Sequence, residues 1–414
     1  MKRTWIASGA MVAAGALALT GCGSSSNAAS NAGGPTTVTW TVWAGSNLEN
    51  DALQHVADIV HQKDPNLTIK LQTMSFPDYW TKLPTLLSGG DVPCVIGMQM
   101  GHVAEFKDSL VPLDDKLSGA GVNPADFDPG IMKALQAGGK QLAVPYDLGP
   151  MIMYYNKDKF KAAGVTEPTA GWTIDEFVAD AKKLTKGSDY GFGANNAIEA
   201  IQDWAPTLVG KQAVTEDGKL DVNNPDIASA LKWYSGLVST EKVAAPLVAG
   251  TANTANQAFM AGNAAMYLDG PWSMIGIKSG AKFQVGVATI PAGPKGLAGP
   301  IEGSGYGITQ KCSKPDAAMK ALAIITGPDA LAYLGDQGRA FPARTAQQPT
   351  WYKSAVPGAQ SVLDAALKAG VPYRETAAWT QDGLNWQQGS VPVINGQSPV
   401  DAFLKNVQDQ SASQ

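Results

Sequence analysis

Residues 143–184, AVPYDLGPMIMYYNKDKFKAAGVTEPTAGWTIDEFVADAKKL, constrain the fold more than any other stretch. The apolar run over 151–155 has the length of a buried strand. A polar turn at Asn156 and Lys157, a short helical segment and a break of Pro and Gly follow it. Trp172 opens a second, amphipathic helix over 172–185. Thr173 stands where that helix needs a cap, and Glu176 three residues later completes a capping box.

The rest of the chain repeats this grammar. Alternating strands are expected over 38–43, 67–73 and 92–98, with helices over 50–64 and 79–88 between them. A β-α-β-α-β beginning of this kind argues for a sheet flanked by helices, with mainly parallel strands. Helices are expected over 198–208, 227–240, 317–326, 328–337 and 399–408. Residues 241–262 read as a loop followed by a helix, and 264–270 and 283–294 as strands. There is no internal repeat at short period.

The first residues read differently. Lys2 and Arg3 precede an apolar, Ala-rich run over 5–20 that is too short and too weakly flanked to span a membrane, and that suits a signal peptide over 1–21. It ends in Leu19-Thr20-Gly21-Cys22, which resembles a bacterial lipobox; a plain signal peptide with an incidental cysteine is the alternative. Residues 22–35 form a Gly/Ser/Asn/Ala linker without core-forming side chains. The formal charge of −5 and the lack of a basic stretch disfavour nucleic-acid binding. His55, His61 and His102 are the only histidines. His55 and His61 are six apart on a helix and share no face, so no metal site is expected, and no Gly-x-Ser-x-Gly elbow supports a serine hydrolase. Eleven tryptophans imply a large core or a cleft that uses aromatic faces.

Several short motifs, in order, carry a resemblance. They are Pro145-Tyr146, Tyr155-Asn156-Lys157-Asp158, Trp172 with Phe177, the FMAGNAAM run over 259–266, Asp269-Gly270-Pro271-Trp272, the Pro291 to Pro294 turn, Gly303-Ser304-Gly305-Tyr306-Gly307-Ile308, Phe341-Pro342-Ala343-Arg344 and the closing GQSPVDAFL over 396–404. Together they resemble the solute-binding lipoproteins of carbohydrate ABC importers, with Cys94 in place of a common Asp and Phe403 in place of a usual Ala. The resemblance implies an α/β, two-lobe periplasmic-binding-protein-like (type II) fold, each lobe a mostly parallel sheet flanked by helices, joined by a multi-strand hinge. The N-terminal lobe would take 36–147 and 274–333, and the C-terminal lobe 148–273 and 334–410. Crossings are expected near 146–151 and 269–274, with 341–344 near the last one. The resemblance also places Cys94 and Cys312 on neighbouring strands of one lobe, over 92–99 and 306–312, and so implies a bridge between them. Sequence alone leaves two separate buried cysteines as the alternative.

What the resemblance implies for function is capture without chemistry: no enzyme activity, no cofactor and no metal. A monomer would bind a mono- or oligosaccharide between its lobes and deliver it to permease subunits. It would be held on the outer face of the bacterial cell membrane by a lipid on Cys22. A sugar presents C–H faces to aromatic rings and hydroxyl edges to polar side chains. Residue-by-residue matching nominates Trp43, Ser46, Gln99, Tyr146, Asp147, Glu302 and Ser304 from the first lobe. From the second it nominates Glu199, Trp204, Trp272, Arg344 and Trp379. Trp233 and Trp351 are assigned to helix and loop packing. A binder of another solute, such as a peptide or polyamine, is the alternative. A secreted glycoside hydrolase, using paired carboxylates among Asp147, Glu199, Asp203 and Glu302, is more remote.

Overall fold

Alternation in the first strand sets the first layer. In β1 (Thr36–Trp43), Val38, Trp40 and Val42 are fully buried. The strand runs parallel to β2 (Leu67–Met74) in register from Thr36 opposite Leu67 to Trp43 opposite Met74. The helix between them, Asn47–Lys63, starts where Ser46 Oγ accepts from the Glu49 N–H at 3.2 Å. Helix Phe76–Ser88 leads on to β3 (Val95–Gln99), which is parallel to β1. These features belong to a computed structural model, which describes residues 35–250 and 254–413. The expected signal peptide, Cys22 and almost all of the linker lie outside the described residues.

A small hairpin, β4 (Gln136–Ala137) with β5 (Lys140–Gln141), precedes β6 (Val144–Pro150). The remaining strands are β7 (Ile152–Asn156), β8 (Tyr190–Gly193), β9 (Ala264–Asp269), β10 (Val285–Thr289), β11 (Pro300–Ile308) and β12 (Val371–Pro372). One sheet has the order β12-β11-β3-β1-β2, with β6 also paired to β11; the other has the order β10-β7-β9-β8. Each sheet with its helices forms one lobe. Both sheets are mixed rather than mainly parallel: β11 is antiparallel to β3 and β6, and β7 is antiparallel to β9 and β10. The reason is connectivity. A strand that returns from the other lobe enters its sheet from the far end.

Two large hydrophobic cores follow the sheets. The capping box at Thr173 and Glu176 forms as expected and starts helix Ile174–Leu184, whose Phe177 and Ala181 are fully buried in the second core. Strand β7 is buried on both faces: Ile152 and Tyr154 join one core, while Met153 and Tyr155 join the other, as a period of two requires.

The chain divides between the cores differently from the expected boundaries. Val285–Thr289 pairs with β7 in the second sheet instead of joining the first lobe. Leu334, Phe341, Trp351, Leu363 and Ala366 pack in the first core instead of the second. Trp351 sits on a helix, Gln348–Ser354, not a loop. The last crossing therefore follows β12, well after 341–344. At the first crossing only Met151 separates β6 from β7. Gly149 must be bare there: a Cβ would lie 2.3 Å from Pro271 Cγ of the second crossing. The Tyr154 hydroxyl donates to Gly270 O at 2.8 Å, and Trp351 Nε1 donates to Pro271 O at 3.3 Å, fastening the same junction.

Cys94 and Cys312 are bonded, with Cα atoms 4.6 Å apart. Cys94 immediately precedes β3. Cys312 lies in a turn beyond β11, not in a strand over 306–312. The antiparallel register that sets Ile308 opposite Val95, with the Thr309 N–H donating to Cys94 O at 3.1 Å, brings them together. The bridge spans 218 residues of sequence. Closing so long a loop restricts the unfolded chain and stabilises the fold by about 2–5 kcal/mol. Replacing both cysteines by Ser is therefore expected to lower the unfolding free energy of the domain by that amount, read as a lower urea midpoint, with the lobes still folded. An unchanged midpoint would show that the bridge contributes nothing.

Candidate functional site

The junction between the lobes gathers polar side chains from both sheets. On the first lobe, Gln99 at the end of β3 lies beside β11, where the register sets it opposite Ser304. Its Nε2 donates to Glu302 Oε2 at 3.0 Å. Next to them the Ser304 N–H donates to Asp147 Oδ1 at 2.8 Å, which holds β6 on β11. Gly303 lets that approach happen, because a Cβ there would sit 2.8 Å from Asp147 O.

On the second lobe, helix Ile198–Val209 carries Glu199 and Asp203 to the same junction, and packs against β11. At the end of β9, Asp269 accepts four hydrogen bonds, from Trp272 Nε1 (2.8 Å), the Gly270 N–H (2.7 Å), the Tyr267 hydroxyl and Ser273 Oγ (both 2.5 Å). The indole of Trp272 is thereby fixed in orientation while its ring stays partly exposed. After β12, Tyr373 and Glu375 lead into helix Trp379–Ile394. Trp379 is 2% exposed and meets Tyr373 edge-on at 6.1 Å. Glu375 lies over Gly101 of the first lobe, whose backbone leaves no room for a Cβ. A further link joins the lobes: His102 stacks on Trp80 at 3.5 Å, its Nδ1 is 3.0 Å from Glu105 Oε2, and that oxygen accepts from Thr380 Oγ1 at 3.1 Å.

Burial dominates the electrostatics. It pushes the Glu302 carboxyl up to about 8, and nearby Glu199, Asp269 and Asp147 add to the rise. It raises Asp203 well above the carboxylate range, helped by Glu302, Glu199 and Asp269. It does the same to Glu375, helped by Glu199 and Glu302. Glu199 and Asp269 are raised by burial too, tempered by the Trp379 indole in one case and by the four donors in the other. Asp147 rises to about 6, because burial outweighs the pull of Arg339. Burial also lowers His102 below its ordinary value despite Glu105. No group of three or more His, Cys, Asp or Glu among the described residues has the arrangement of a metal site.

The structure thus brings together Gln99, Asp147, Glu199, Trp272, Glu302, Ser304 and Trp379 of the nominated residues. Tyr146 lies beside Asp147 and Ser304, buried, with its ring stacked on Tyr306 at 4.5 Å. The other four stand elsewhere. Trp43 packs in the first core against Phe76, Tyr79 and Trp80. Ser46 is a helix cap. Trp204 is 1% exposed in the second core, tilted on Phe177 and Trp233. Arg344 belongs to the first lobe: it donates to Thr326 O and Asp126 Oδ2, both at 2.7 Å, and lies over the Phe127 ring. Four residues at the junction escaped nomination as ligand contacts. Asp203 entered only as a carboxylate of the remote hydrolase reading. Asp269 was visible as a motif member. Tyr373 and Glu375 sit in a stretch with no periodic signal.

Raised folded-state values mean that folding takes up protons. Glu302, ordinarily near 4.5, holds its proton to about 8. Asp147, ordinarily near 3.8, holds its proton to about 6. The stability these groups give is full below their ordinary values and is lost as pH rises through the folded ones. The melting temperature of the ligand-free domain is expected to fall between about pH 5 and about pH 8.5, and Glu302→Gln to flatten the fall. A melting temperature that climbs across that range would contradict the buried-carboxylate account.

The sequence model for bacterial extracellular solute-binding proteins matches residues 45–332. A maltooligosaccharide ABC transporter solute-binding lipoprotein of Streptococcus pneumoniae is 26% identical over 309 residues, which is 69% of this chain and 68% of that one. The maltodextrin-binding protein of Bacillus subtilis is 27% identical over 338 residues, 77% and 75% of the two chains. Among solved structures, an ABC substrate-binding protein from Listeria monocytogenes in complex with cycloalternan superposes with a TM-score of 0.84 at 23% identity, covering 92% of this chain and 98% of that one. A match over well more than half the sequence, on the same two-lobe fold, places this chain in the family of bacterial extracellular solute-binding proteins.

Proposed function

We propose that this protein captures a mono- or oligosaccharide between its lobes and hands it to the permease of an ABC-type importer. The observation that carries the reading is the meeting, at one junction, of Gln99 and Glu302 from one lobe with Glu199, Asp203, Trp272 and Trp379 from the other. Polar groups of this kind suit hydroxyl edges, and a partly exposed indole suits a C–H face. The sugar-binding names of the relatives support it.

The mechanism is binding without bond cleavage. Ligand touches both lobes only when they are closed, so it favours the closed state by its differential affinity for that state. The crossings after Pro150, Asp269, Thr289 and Pro372 are the places where a hinge motion would be absorbed. The lobe boundaries we propose follow the two sheets: residues 36–150, 274–280 and 300–372 in one lobe, and 151–270, 285–290 and 373–410 in the other. We further read Cys22 as the lipidated N-terminus and 23–35 as the tether that holds a monomer on the outer face of the membrane. One relative is itself named a lipoprotein.

A thermal-shift screen of the domain from about residue 36, against sugars with amino acids, peptides and polyamines as controls, tests the reading. Ligand that binds only the folded state raises the melting temperature. A shift with sugars alone is expected; a shift with controls alone would overturn the carbohydrate assignment. Trp272→Ala is expected to weaken the sugar at least about 30-fold, the cost of truncating a central aromatic contact, with the circular dichroism spectrum unchanged. Equal affinity by titration calorimetry would remove Trp272 from the site.

A further inference from the structure

The junction is richer in acid than recognition of neutral hydroxyls requires. Five carboxylates meet there: Glu199 and Asp203 on one helix, Asp269 at the end of β9, Glu302 on β11, and Glu375 after β12. Among the described residues none of the five is ion-paired with Lys or Arg. The three guanidinium groups among the described residues are spent elsewhere, Arg339 on Glu49 at 2.9 Å and beside Asp147, Arg344 on Asp126, and Arg374, the chain neighbour of Glu375, on Glu216 at 3.0 Å. His102 Nε2 stands 3.9 Å from Glu375 Oε2, too far for a hydrogen bond, and its burial disfavours the charged ring.

Within this group the polar atoms are not satisfied by one another. Glu375, with its side chain 1% exposed, has no hydrogen-bond partner on either oxygen. Asp203, 5% exposed, has none on Oδ1. Independently of the acids, the Tyr373 hydroxyl is buried, lacks a partner, and lies within electrostatic reach of Glu199, Glu375, Glu302 and Asp203. The phenol thus adds one more unsatisfied buried group to the same cluster. Buried polar atoms are expensive to leave unpaired. A cation would satisfy several of these oxygens at once, and the carboxyls, which burial otherwise keeps protonated, would ionise around it.

Resting on the sugar-binding reading above, we infer that the preferred ligand is a sugar bearing a basic nitrogen, its ammonium group seated among Asp203, Glu302 and Glu375 with the Tyr373 hydroxyl. The same acids repel phosphorylated and carboxylated sugars. Asp269, already holding four donors, orients Trp272 and takes no part in contacting the nitrogen.

The test is titration calorimetry on the domain at about pH 7 with three matched series, glucose, cellobiose and maltotriose, each as parent sugar, amino sugar and N-acetylated amino sugar, with spermidine as a control. In the series that binds, the amino sugar is expected to bind at least about 10-fold tighter than both neutral members, in line with a hydrogen bond to a charged group. Binding should release protons, read as a heat that changes with the ionisation enthalpy of the buffer. Glu375→Gln should shrink that preference while the parent sugar's affinity holds, and thermal melts confirm that the variant is folded. A parent or N-acetyl sugar that binds as tightly as the amino sugar overturns the inference and keeps the sugar reading. Binding of spermidine alone, or of none of these compounds, overturns both.

Discussion

Strand β11 is the element on which the rest depends. It lies between β3 and β6, antiparallel to each, and its register is fixed by backbone pairing on both sides. That pairing sets Ser304 beside Gln99 and Asp147, and so delivers Glu302 to the junction. It also carries the chain to the turn where Cys312 meets Cys94. A strand so confined needs small residues, and the alternation Gly303, Gly305, Gly307 supplies them. A one-residue slip would turn Glu302 away and drive Tyr306 out of the core.

The junction is a compromise between stability and recognition. Burying several carboxylates without counter-ions costs free energy, and much of that cost is avoided by holding protons. Two carboxylates in the region have structural tasks: Asp147 pins β6 to β11, and Asp269 orients Trp272. Those left with unpartnered oxygens, Asp203 and Glu375, come from two segments distant in sequence and meet only through the fold.

Aromatic residues divide along the same line. Trp43, Tyr146 and Trp204 have the composition of a sugar platform and yet are buried against other rings, so they set the rigidity of each lobe. Trp272 and Trp379 sit where chain crossings meet a helix start, at the junction between the lobes. Both kinds of Trp look alike in the sequence, because a hydrophobic period reports burial and not the identity of the neighbour across it.

The sequence by itself determined most elements up to about residue 337 and their order, but not helices Gln348–Ser354, Ala359–Ala369 and Trp379–Ile394. Thr173 with Glu176, the Val38-Trp40-Val42 alternation and the Gly-Pro punctuation act through neighbours a few residues away, and such local physics is written in the chain. The motifs also marked Trp272 and the two early crossings. What only the tertiary structure decided is long-range. The mixed strand directions, the placing of 334–366 in the first core and of 285–289 in the second sheet, and the turn of Arg344 toward Asp126 depend on pairings between segments far apart. The acidic junction is the clearest case. Glu199, Asp203, Asp269, Glu302 and Glu375 are scattered along the chain with no shared spacing. Their closeness follows from how strands that cross between two lobes must dock, and no local rule records it.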